Sequence, residues 1–237
     1  MPSKLGPSEV ADRLDRSSDA GEQGSPLAPP LSALLWGFSW AEILPYGLGN
    51  EVSVVFSSFD RALPFIHKHY AEIFHEDPTT SPFVTKIDTA RQRYYRAAGD
   101  FFEFVHDERT VGLLIGTPID WGSYYIRSAA VLPSYQGKKI IQRFFPVVFD
   151  RLKRAGVERV EADTSPSNMA TMHLLTRLRF NMTGTVLSER WGAHVHFTKF
   201  LDETNEHVFL EQFCSGIKYQ LRRSSTGAKK LAPGERT

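Results

Sequence analysis

Cysteine is nearly absent from this chain: Cys214 is the single one in 237 residues. One thiol excludes an internal disulfide and a cysteine-rich metal centre, and no metal is expected. No uninterrupted apolar run is long enough to span a membrane. Met1–Pro30 has no apolar stretch of the kind a secretory leader needs, so the expectation is a cytoplasmic protein; contact with a membrane surface stays open. A strong charge of either sign is missing too. The net charge of +1 excludes a nucleic-acid footprint spread over the whole protein. What is present, 41% hydrophobic and 23% charged residues, suits one ordinary globular core with extensions.

Residues 1–30 are rich in Ser, Pro, Gly, Asp and Glu and cannot offset their ordering entropy by burial, so a disordered tail is expected. Leu31–Leu44 is different. Trp36, Trp40, Ile43 and Leu44 follow helical spacing, with Ser32, Ser39 and Glu42 as a polar stripe and Pro45 and Gly47 as the stop. An apolar helix over 31–49 must be covered by the domain, by an acyl group or by a membrane surface. A strand at Glu51–Ser57, helices at Phe59–Phe74 and Pro82–Ala98, a hairpin at Phe101–Ile115 and a strand at Tyr124–Val131 follow. Further on, the pattern gives a helix at Lys139–Ala155, a strand at Val157–Thr164 and a helix at Asn168–Leu178. Strands near Gly184–Arg190 and Ala193–Phe200 and a helix at Thr204–Tyr219 end the folded part. The domain therefore covers 50–202, the last helix 203–219, and a tail 220–237 closes the chain. From Lys218 onward six basic residues stand against Glu235, a net +5.

The stretch Ala129–Phe145 carries the strongest chemical signal. A short apolar run ends at Pro133, a polar turn follows, and an amphipathic helix starts at once. Such a helix start presents backbone N–H groups with no partner in the helix, and its dipole favours anions. Lys138 and Lys139 add two positive charges there. A phosphate-bearing ligand is the expected guest.

This stretch resembles the donor-binding motif of the GNAT superfamily of N-acetyltransferases, whose loop reads Gln/Arg-x-x-Gly-x-Gly/Ala. Gln136 matches the first position, while Lys139 and Ile141 stand where the family has small residues. Downstream, Asn168, Leu174 and Phe180 match the family pattern Asn-x-x-Ala-x-x-Leu-Tyr-x-x-x-Gly-Phe; Thr171, Leu175 and Arg179 depart from it. The resemblance implies an α/β fold: a mixed sheet of about seven strands, splayed between its fourth and fifth, with helices on both faces. It also implies acetyl-CoA or another acyl-CoA as co-substrate, or a pantetheine thioester on an acyl carrier protein. The acyl group would pass by direct attack to an amine on a small molecule or peptide. Donor contacts would come from Gln136, Gly137, Lys138, Lys139, Ile140, Ile141 and Asn168, with backbone oxyanion donors near Ala129 and Val131. A homodimer is compatible with this reading. The alternative is a non-catalytic binding or regulatory member of the fold, because a β-branched Ile141 narrows access to the loop.

For the base, Val160–Thr164 is the place to look. A central parallel strand is normally apolar on both faces, yet Glu161 and Asp163 alternate on one face of it. Two close carboxylates would raise at least one pKa, as a general base requires; equally, Glu161 pairs with Arg159 or lies at an exposed strand end. The family's tyrosine acid is replaced by Leu175, leaving Tyr124, Tyr125 and Tyr135 as substitutes. His194 and His196 share one strand face without a third metal ligand, and read as core or substrate-contact residues.

Overall fold

The computed structural model describes residues 29–74, 89–188 and 192–213. The expected tails, the first half of the Pro82–Ala98 helix, the end of the strand near Arg190, and residues 214–219 of the last helix lie outside them. The sheet is mixed and has eight strands in the order β1-β2-β3-β4-β5-β6-β8-β7. The strands are β1 (Tyr46–Gly49), β2 (Val52–Ser57), β3 (Asp100–His106), β4 (Arg109–Pro118), β5 (Ser123–Val131), β6 (Arg159–Thr164), β7 (Asn181–Ser188) and β8 (Gly192–Phe200). Every pairing is antiparallel except β5–β6. That parallel step is the one that needs a helical crossover, and α4 (Ile140–Arg154) supplies it. The strand beyond the expected seven is β1: Pro45, just before it, and Gly47, within it, read as a helix stop in sequence but belong to the start of an edge strand on β2.

Helices cover both faces. On one, α4 buries Ile140, Phe144, Phe145, Val148, Phe149 and Leu152 against Phe102, Phe104 and Leu114 of the sheet. The helix α5 (Met169–Arg177) adds Leu175 to the same core. On the other face α2 (Phe59–Phe74) and α3 (Thr89–Ala98) form a smaller cluster in which Phe59 and Ala62 meet Phe101 and Leu113. The final helix α6 (Glu203–Phe213) follows β8 and buries no residue fully.

The helix expected over Leu31–Leu44 is not continuous. It breaks into α1 (Leu31–Trp36) and a 3-10 turn at Trp40–Glu42. Gly37 takes φ +65, a left-handed conformation that ends α1. Ser39 and Glu42 then cap the turn reciprocally. The polar stripe read from the sequence is therefore two capping residues and one buried anchor. Ser32, fully buried, donates to the Asp100 carboxylate at 2.7 Å, and Tyr124 donates to its other oxygen at 3.0 Å. Trp40 packs edge-on to Phe102 with ring centroids 4.9 Å apart. The segment thus covers the core of its own domain.

Candidate active site

The sheet opens at one place. β5 and β6 pair in register from Ser123↔Arg159 to Ile126↔Ala162, and no further. On the other side of β5, Ile115 faces Ser128 while Gly116 faces Ile126, so Arg127 is an extra, bulged residue. A bulge bends its strand and increases local twist, which carries Ser128–Val131 away from β6. The last shared pair is followed by Arg127 on one strand and Asp163 on the other, where the ladder has ended. In that splayed length the Leu132 N–H donates to the Val111 carbonyl of β4 at 2.9 Å. Antiparallel alternation then turns the backbone N–H groups of Ala129 and Val131 the other way, into the gap.

β5 leads directly into the donor-type loop. A 3-10 turn at Pro133–Tyr135 is followed by exposed Gln136, Gly137, Lys138 and Lys139, and Ile140 starts α4. Gly137 (φ +74) and Lys139 (φ +59) are both left-handed, and Lys139 makes no side-chain cap. The first intrahelical bond is Arg143 N–H to Lys139 O, so the N–H groups of Ile140, Ile141 and Gln142 point out of the helix end. Ile140 is buried and Ile141 packs against the main core, so the β-branched side chain leans inward. Tyr135 is held from behind by His106, 2.8 Å from its hydroxyl, and the Lys138 ammonium lies 4.3 Å from its ring centroid. Asn168 caps α5, its Oδ1 accepting from Thr171 N–H at 3.1 Å.

Below the gap, on the α2/α3 face, lies a polar constellation. Asp163 and His196 are register partners on β6 and β8, and His196 Nδ1 stands 2.5 Å from Asp163 Oδ1. The other Asp163 oxygen accepts from Tyr125 Oη at 2.9 Å. Burial, reinforced by the Asp163 charge and this hydrogen bond, pushes the Tyr125 phenol well above its ordinary pKa, so it serves as a fixed donor. A carboxylate only accepts; the Nδ1–H must donate, and a neutral ring then keeps its lone pair on Nε2. Glu161 differs from Asp163. It accepts from Arg159 Nε at 2.7 Å, and His196 Nε2 lies 3.7 Å from its other oxygen. The two carboxylates are thus in one cluster, but Glu161 is occupied by an ion pair. Of the alternative acids, Tyr124 is fully buried on Asp100 and Tyr135 lies in the 3-10 turn before α4, held by His106. Leu175 is core. In sequence His196 reads as a core or substrate-contact residue, because nothing in local spacing announces its contact with Asp163, 33 residues away.

Residues 63–180 match the family model of the GNAT acetyltransferases. The chain carries a GNAT acetyltransferase domain. No curated protein sequence matches it, but many solved structures share its fold. The ribosomal-protein-S18-alanine N-acetyltransferase of Escherichia coli superposes with a TM-score of 0.52 at 12% identity, over 64% of this chain and 94% of that one. YncA of Salmonella typhimurium, solved with its cofactor acetyl-CoA, gives 0.50 at 19% identity, over 65% and 96%. A chimera of the spermidine N-acetyltransferase SpeG of Vibrio cholerae gives 0.51 at 16% identity, over 64% and 96%. Lys139 (φ +59) and Arg179 (φ +62) stand at the motif's glycine positions and keep a left-handed conformation.

Proposed function

We propose that this GNAT domain is an N-acyltransferase that moves an acetyl group from acetyl-CoA to a primary amine by direct attack. The observation that carries this reading is the gap between β5 and β6. It has outward backbone N–H groups on one wall, an Asp163–His196 pair on the other, and the unpartnered start of α4 at its end. The pyrophosphate of the donor fits the α4 N-terminus, with Gly137 giving close approach and Lys138 and Lys139 supplying charge. The carbonyl of the thioester lies along Ala129–Val131, whose N–H groups stabilise the oxyanion. His196 Nε2 takes the proton of the incoming ammonium while Asp163 holds the ring and stabilises its charge. The amine nitrogen bonds to the carbonyl carbon, the carbon–sulfur bond breaks, and CoA departs as a thiolate that takes up a proton. A thiolate leaves without a dedicated acid, which suits Leu175 at the family's tyrosine position.

The test is calorimetric titration with CoA, acetyl-CoA and pantetheine, followed by thiol release from acetyl-CoA over a panel of primary amines. Binding of acetyl-CoA with amine-dependent release is the expected result. Binding to pantetheine alone points to a carrier-protein donor. Donor binding without release for any amine favours a non-catalytic binding protein.

A further inference from the structure

Arg127, the bulged residue, directly follows the last β5 residue paired with β6 and is exposed. Its guanidinium lies over three tyrosine rings, with centroids at 5.6 Å (Tyr94), 5.6 Å (Tyr95) and 5.8 Å (Tyr125). One of its nitrogens donates to Tyr94 Oη at 3.2 Å. Two of the rings, Tyr95 and Tyr125, are themselves held in place. Tyr95 stacks on Phe59 with an interplanar angle of 4°, Arg96 ties α3 to Asp60 of α2 at 2.7 Å, and Tyr125 is held by Asp163. This fixes the direction of the charge, so little side-chain entropy remains to be lost on binding.

The neighbouring charges are already committed. Asp163 accepts from Tyr125 and faces His196, Glu161 accepts from Arg159, and Asp120 lies 3.3 Å from the same Arg159. The other buried carboxylate of this face, Glu103, is held by Ser57 and by Thr110 at 2.5 Å, with Arg61 at 3.8 Å. Among the described residues no carboxylate comes within 4 Å of Arg127. Cation–π contact leaves the in-plane N–H groups of a guanidinium available, and those are the groups that match a carboxylate in a fork.

We infer that Arg127 is a specificity-determining residue that binds a carboxylate on the acceptor, so the substrate class is an amino acid or a related amine-bearing carboxylic acid. The inference rests on the acyltransferase reading for the identity of the reacting amine. The same arrangement argues against a polyamine. A second ammonium on the acceptor would meet the fixed positive charge of Arg127, while Asp163, Glu161 and Asp120 are already engaged by Tyr125, His196 and Arg159.

The experiment uses matched amines with and without the carboxylate: serine with ethanolamine, phenylalanine with phenethylamine, 5-aminovalerate with butylamine. Spermidine is added as a polycation. Each is titrated into the full-length protein saturated with CoA, and each is assayed separately for thiol release from acetyl-CoA. At least one acid is expected to bind about tenfold or more tightly than its decarboxylated partner, the size of one charge-assisted hydrogen-bonded pair. In Arg127→Gln that ratio should collapse towards one, and Arg127→Lys, which keeps the charge without the fork, should give an intermediate ratio. CoA affinity and melting temperature, measured on the same samples, report whether each variant is folded. Equal binding within every pair, preference for spermidine, binding of no member, or a ratio unchanged in folded Arg127→Gln overturns the assignment. Loss of thiol release for all amines, with the binding ratio intact, overturns the acyltransferase reading instead.

Discussion

His196 and Asp163 face each other across the β6–β8 ladder with 2.5 Å between ring nitrogen and carboxylate, where β6 has just lost its pairing to β5. Strand register sets this pair, and the splay exposes it to the gap. If it acts as base and orienter, Asp163→Asn leaves the fold and donor affinity in place, because an amide oxygen still accepts from one neighbour. Turnover should fall by about 10²–10⁴-fold, the range for disabling a positioned base. Glu161→Gln separates the two carboxylates. It weakens a part-buried ion pair to Arg159, so its main effect is on melting temperature, with the rate falling less than about tenfold. Comparing the two variants by rate, CoA titration and melting assigns each carboxylate its role.

The donor loop gives a second expectation. Lys139→Glu places a negative charge beside the α4 N-terminus and should weaken CoA binding by about 1–3 kcal/mol, without a comparable loss of stability. Calorimetry with CoA and with dephosphorylated pantetheine checks it. The effect should vanish for the ligand that carries no phosphate.

Arg179 tests whether the glycine positions of the motif are conformational. With φ +62 it bears the left-handed strain that glycine escapes, so Arg179→Gly should leave stability unchanged or raise it by up to about 1 kcal/mol. A loss well beyond that in urea denaturation would mean the arginine side chain is needed for packing.

Buried Asp100 predicts a pH dependence. Burial pushes its pKa up to about 6, only partly offset by hydrogen bonds from Ser32 and Tyr124 and by the nearby Trp40 indole, whose N–H makes no hydrogen bond of its own. The folded state therefore keeps a proton that the unfolded state releases near its ordinary value of 3.8. This contribution to stability falls as pH rises from about 4 to about 6 and is flat above, by about 3 kcal/mol in total. Asp100→Asn removes it. The difference in melting temperature between wild type and variant should grow through that window in the variant's favour.

Much of this was legible in the sequence. The strand–loop–helix at Ala129–Phe145, the hairpin and the crossover all follow from periodicity and turn chemistry. Lys139 and Arg179, which stand where the GNAT pattern has glycine, are left-handed in the structure. Three things were not legible, each for a tertiary reason. Gly37 ends α1 because Ser32 and Trp40 must both reach the sheet, a demand that helical spacing over Leu31–Leu44 hides. The Asp163–His196 contact depends on register between strands joined through α5 and β7. Arg127 reads as an ordinary strand residue until the bulge at Ile115/Gly116 singles it out.

Single-turnover acetyl transfer from a preformed acetyl-CoA complex, comparing wild type with His196→Gln, tests the central claim most directly. CoA affinity should be equal in the two proteins, since His196 lies on β8 and the donor loop precedes α4. The transfer rate of His196→Gln should be lower by about 10²–10⁴-fold. Equal rates at equal donor occupancy would contradict the account, because the proton of the amine would then leave by a route that does not involve His196.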